Sequence, residues 1–73
     1  MKIQTKEGAR YEGSAVEIVQ AMKSDSWWYS DPKVEYMNGI AERMELQTGE
    51  PMTYTDPASF LRELSQREML TID

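Results

Sequence analysis

Three features of the sequence predict an α+β fold: alternating residues over 2–13, helical spacing behind clear start signals, and an apolar, β-branched tail. The expected element order is β-β-α-α-α-β. A small, mainly antiparallel three-stranded sheet would be built from an N-terminal hairpin plus a C-terminal strand, with the helices packed on one face. A hairpin alone is barely stable in water, so it needs that third strand or a helix layer. No linker, repeat or low-complexity stretch divides residues 1–73, which predicts a single domain.

In the hairpin, Ile3, Thr5, Ala9 and Tyr11 alternate with Lys2, Gln4, Lys6, Arg10 and Glu12. Lys6-Glu7-Gly8 reads as a three-residue loop whose glycine supplies positive φ, and this sets Thr5 opposite Ala9 and Ile3 opposite Tyr11. A first helix is expected over 15–24. Ser14 and Glu17 form a capping box, and Ala15, Ile18, Val19 and Met22 make one apolar face.

Ser24 to Ser30 breaks the helical pattern and reads as a connection. A second helix is expected over 32–47. Asp31 would be its N-cap, Pro32 its first residue and Gly49 its stop, with Val34, Met37, Ile40, Ala41 and Met44 inward. Gly39 inside that helix costs about 1 kcal/mol relative to Ala, which suggests a close neighbour. Asp56-Pro57 repeats the cap-then-proline signal for a third helix running to about Arg67. Phe60, Leu61 and Leu64 would face inward and a Glu63–Arg67 pair outward. Met52 and Met69, at element ends, are expected to be half-exposed. Met69-Leu70-Thr71-Ile72 would form the last strand.

The chain holds no Cys and no His. That argues against imidazole or thiolate catalysis and against the usual zinc sites. Neither phosphate-binding glycine motif occurs, and Asp25 to Asp31 lacks the ligand spacing of a calcium loop. A non-enzymatic protein without a cofactor or metal is expected. A small ligand-binding domain or enzyme is the least favoured alternative. No run of 18 apolar residues occurs, and Met1 to Lys6 has no apolar leader character. These features, with the absence of Cys, predict a cytoplasmic chain without membrane association.

At 73 residues a core rarely supplies more than about 3–5 kcal/mol, and the disulfide and zinc staples are closed to this sequence. Pairing into a homodimer is therefore one expected source of stability. Acids outnumber bases 13 to 8, a balance that opposes a polyanionic ligand. Lys2, Lys6 and Arg10 form a small basic patch on the hairpin, diluted by Glu7 and Glu12, and nucleic acid is disfavoured as a partner.

Two clusters remain as candidate contact residues. Glu35, Glu42 and Glu45 repeat along one helix face with Asn38 among them and lack i, i+4 basic partners. Such a stripe serves either plain solubility or a Lys/Arg-rich partner. Trp27, Trp28 and Tyr29 supply large area at low rotamer cost, as interface anchors do. Adjacent residues in an extended segment point to opposite sides, so one tryptophan is expected inside and the other exposed. The leading expectation is a small acidic protein that binds another protein, of basic character. In its general character, short, acidic and α+β, the chain resembles small bacterial and mobile-element proteins, and a phage- or plasmid-encoded regulator or inhibitor is a narrower version of the same expectation. The alternative is a self-associating accessory module paired through a sheet edge or the aromatic face.

Overall fold

The computed structural model describes residues 1–27 and 33–73. Its elements are β1 (Lys2–Thr5), β2 (Arg10–Glu12), α1 (Ala15–Ser24), α2 (Tyr36–Thr48), α3 (Pro57–Gln66) and β3 (Leu70–Ile72). The order is the β-β-α-α-α-β expected for this α+β fold. The sheet runs β2-β1-β3, with both pairings antiparallel, so the first strand in sequence is the central one.

The hairpin register follows from the alternation. Ile3 lies opposite Tyr11 and Gln4 opposite Arg10. Thr5 N–H donates to the Ala9 carbonyl at 2.7 Å, and Gly8, at φ 97°, turns the chain between them. β3 then pairs Ile3 with Ile72 and Thr5 with Leu70. Ile3, Thr5 and Leu70 are buried on one face, with Tyr11 and Ile72 half-buried. Lys2, Gln4, Arg10, Glu12 and Thr71 are exposed on the other. A period of two thus divides the sheet into a helix-packed side and an open, charged side.

The helices bury stripes at helical spacing. α1 contributes Ile18, Val19 and Met22, and α3 contributes Phe60, Leu61 and Leu64, of which only Val19 is not fully enclosed. Each such side chain stabilises the fold by roughly 1.5–3 kcal/mol through burial. Both starts are capping boxes: Glu17 N–H donates to Ser14 Oγ at 3.1 Å, and Ser59 N–H donates to Asp56 Oδ1 at 2.8 Å. Both ends close in the same way. Trp27 N–H reaches back to the Met22 carbonyl at 2.8 Å and Met69 N–H to the Leu64 carbonyl at 3.0 Å. Ser26 and Glu68 occupy the left-handed position in these two Schellman closures.

α2 departs from expectation at its start. Its first residue is Tyr36, not residue 32, and Glu35 is the N-cap, its carboxylate accepting Asn38 N–H at 3.0 Å. The expected cap and first residue, Asp31 and Pro32, lie outside the described residues. The later start places Tyr36 in the core, 6% exposed, with its hydroxyl donating to the Trp27 carbonyl at 2.7 Å. Burial raises that phenol well above the ordinary tyrosine range. Val34, expected on the buried face of the helix, precedes it and is half-buried. Ile40 and Met44 are buried as expected, Met37 and Ala41 are half-buried, and Gly39 is buried. Gly49 ends the helix at φ 77°.

Two other positions are corrected. Met52 is buried, 7% exposed, because its side chain joins the core cluster although its neighbours in the link from α2 to α3 are exposed. Met69 is half-buried, as expected. The Glu63–Arg67 pair forms, but not on an outward face: the two side chains are 27% and 13% exposed. Arg67 is drawn in because its other terminal nitrogen donates to the Pro51 carbonyl at 3.0 Å, tying the end of α3 to the link before it.

Candidate functional site

The exposed side of α2 carries the features that suit contact with another molecule. Tyr36, Gly39, Ile40 and Met44 face the core. The helical period therefore turns Asn38, Glu42, Glu45 and Leu46 outward. Leu46 is 85% exposed, the most exposed of the large apolar residues among those described. Glu42 lies one turn before it on the same side, and both Glu42 and Glu45 are exposed. Among the described residues neither carboxylate has an ion pair. Arg43, between them in sequence, is half-buried and engaged in an interaction of its own.

The remaining candidates are placed differently. Glu35 is a capping residue rather than a free member of the stripe. Asn38 in turn accepts a hydrogen bond from the Tyr54 hydroxyl, and the Tyr54 ring packs edge-on against Phe60 at 5.3 Å. Burial and the nearby Glu35 carboxylate both push the Tyr54 phenol upward, burial being the larger cause. Glu35 and Asn38 therefore brace the start of α2 against the segment leading into α3. The stripe read as Glu35, Glu42 and Glu45 reduces to its last two members.

Trp27 is buried, 8% exposed, with its indole N–H 3.4 Å from Glu7 Oε2. It is core and cap at once, which leaves little of its ring at the surface. Its membership in the α1 closure places it next to the Met22 turn, where its ring fills the core. Trp28 and Tyr29 lie outside the described residues. Leu46 was not among the sequence candidates. Its signal was present all the same, as an apolar residue one turn after Glu42 on the polar side of the helix.

The second surface is the open face of the sheet. A groove of about 460 Å³ lies there, and Lys2, Arg10, Glu12 and Asp73 are among the residues that line it. Lys2 and Glu12 approach to 4.0 Å while staying well exposed, a geometry worth at most about 1 kcal/mol. The groove mixes both signs of charge and is lined by no Ser, Thr or Cys. Among the described residues no three carboxylates converge as a metal ion would need, and no helix is long and apolar enough to cross a membrane. Comparison with protein-family models, curated proteins and solved structures finds no match.

Proposed function

We propose that this protein works without catalysis, by binding a basic partner protein through the outer side of α2. The observation that carries this reading is Leu46, held 85% exposed beside the unpaired carboxylates of Glu42 and Glu45. An isolated exposed leucine is ordinary. One on a helix, beside two carboxylates with no ion partner, has the make-up of a small interface: an apolar anchor with a charged rim. The net charge of −5 adds long-range attraction for a basic surface. A regulator or inhibitor of the mobile-element kind, which offers carboxylates where its target binds phosphates, is a narrower form of the same reading.

The test uses the full chain as bait in its native host extract at low salt, beside two variants, Leu46→Ser and Glu42→Lys/Glu45→Lys. Basic proteins retained by the wild type and lost from both variants, and released as salt rises, are the expected result. A captured set that is the same for all three baits, or indifferent to salt, overturns the proposal.

A further inference from the structure

We propose that β2 is a self-association edge, through which two copies of this chain join into one continuous six-stranded antiparallel sheet. The argument begins with the backbone. On β2 the residues that bond to β1 are the odd ones: Ala9 accepts from Thr5, and Gly13 N–H donates to the Met1 carbonyl at 3.0 Å. In an antiparallel strand alternate residues turn both backbone groups to the same side. Arg10 and Glu12 therefore present their N–H and C=O groups away from β1. β2 stands at the end of the sheet order, both residues are exposed, and no described residue pairs with those outward groups.

The side chains make this edge complementary to itself. Arg10 and Glu12 flank Tyr11 with opposite charges on the open face of the sheet. If two β2 strands run antiparallel about a two-fold axis at Tyr11, Arg10 of each copy falls opposite Glu12 of the other. Those are the residues whose backbone groups are free, so each pair exchanges both ladder bonds as well as charge. In the single chain Arg10 faces neutral Gln4 across β1, and it takes part in no ion pair. In the paired sheet, Glu12 sits between Lys2 on its own β1 and Arg10 of the second copy. Every charge in the row then has a neighbour of opposite sign.

Charged, short edge strands commonly prevent pairing. That device depends on like charges meeting when two edges approach. The order Arg10-Tyr11-Glu12 does the reverse, because it reads as its own partner. On the helix-packed side the pairing brings the two Tyr11 rings together across the axis. Each ring is half-buried, with its hydroxyl donating to Asp25 Oδ2 at 2.9 Å. Aromatic cross-strand pairs of this kind add to sheet stability. The surface does not include Glu42, Glu45 or Leu46, so the two proposals stand or fall separately.

Sedimentation equilibrium of four forms provides the test, with circular dichroism to confirm that each is folded. The wild type is expected to dimerise. Arg10→Glu and Glu12→Arg each place like charges opposite one another twice, and each is expected to weaken association on the order of tenfold or more. An equimolar mixture of those two single variants restores both opposite-charge pairs, and so does the doubly swapped Arg10→Glu/Glu12→Arg chain. Both are expected to recover the dimer. A wild type that stays monomeric at millimolar concentration overturns the proposal. So does a dimer that the single variants leave intact, as the other free edge, β3, would produce.

Discussion

Glu68 and Ser26 hold backbone angles of φ 61° and 53°, the left-handed region that costs an L-residue about 1 kcal/mol or more. Both are tolerated because the Schellman closure around them satisfies carbonyls at a helix end and seats an apolar residue, Met69 or Trp27, against the core. Glycine meets the same geometry without the clash. Glu68→Gly and Ser26→Gly are each expected to raise stability by about 0.5–1 kcal/mol, read as a higher urea midpoint with an unchanged slope. A drop in the midpoint would mean that either side chain does something the closure does not need. These positions also explain a gap in the sequence reading. Neither helix ends on glycine, so the stop after α1 was visible only as a loss of helical pattern, and the inward direction of Trp27 was not visible at all.

Among the helices, the legible starts were those whose capping signal lies wholly within a few residues. Ser14 with Glu17 and Asp56 with Pro57 were read correctly because the cap, the carboxylate and the first turn are chain neighbours. Asp31-Pro32 offers the same signal for α2, yet residues 33–35 are not helical and Glu35 caps instead. What outweighs the local signal is tertiary: starting at Tyr36 buries that ring and gives its hydroxyl the Trp27 carbonyl. No local pattern encodes that contact. The caps also make the fold sensitive to acid. Hydrogen bonds from Ser59 hold the Asp56 carboxyl below its ordinary 3.8, and those from Ser14 hold Glu17 below its ordinary 4.5. Groups with lowered values in the fold contribute stability above the ordinary value and lose it as pH falls through the lowered one. Melting temperature is thus expected to fall between about pH 5 and pH 2. Asp56→Asn, whose amide oxygen still accepts the Ser59 N–H but does not titrate, should flatten that fall. A profile identical to the wild type would show that the Asp56 cap plays no part in it.

Across the molecule, charge is arranged differently on each face. The open side of the sheet mixes Lys2 and Arg10 with Glu12 and Asp73, while the outer side of α2 holds Glu42 and Glu45. Half of the α2 surface was legible, because the helical period alone turns Glu42 and Glu45 outward. The other half, Leu46, was hidden by a reading that assigned the helix its apolar face first. The complementarity of β2 with itself was legible only after the strand order was added to the hairpin register. It depends on β2 being at the edge and on even-numbered residues turning outward, and neither is a property of residues 10–12 alone. The central strand is the first in sequence, and one of its neighbours is the last.

That arrangement also governs how the protein responds to force. β1 and β3 lie side by side in opposite directions, with Lys2 beside Asp73 at one end and Lys6 beside Met69 at the other. A pull applied through Met1 and Asp73 peels this ladder open rung by rung. A pull through Lys6 and Asp73 strains all the rungs together. With no native thiol to interfere, paired cysteines at either set of positions would attach handles for optical tweezers. Rupture at distinctly higher load is expected for the second geometry, and equal loads would show that the β1–β3 seam is not the mechanical clamp. The direction in which the ends are drawn, more than the number of bonds between them, decides how much tension this sheet withstands.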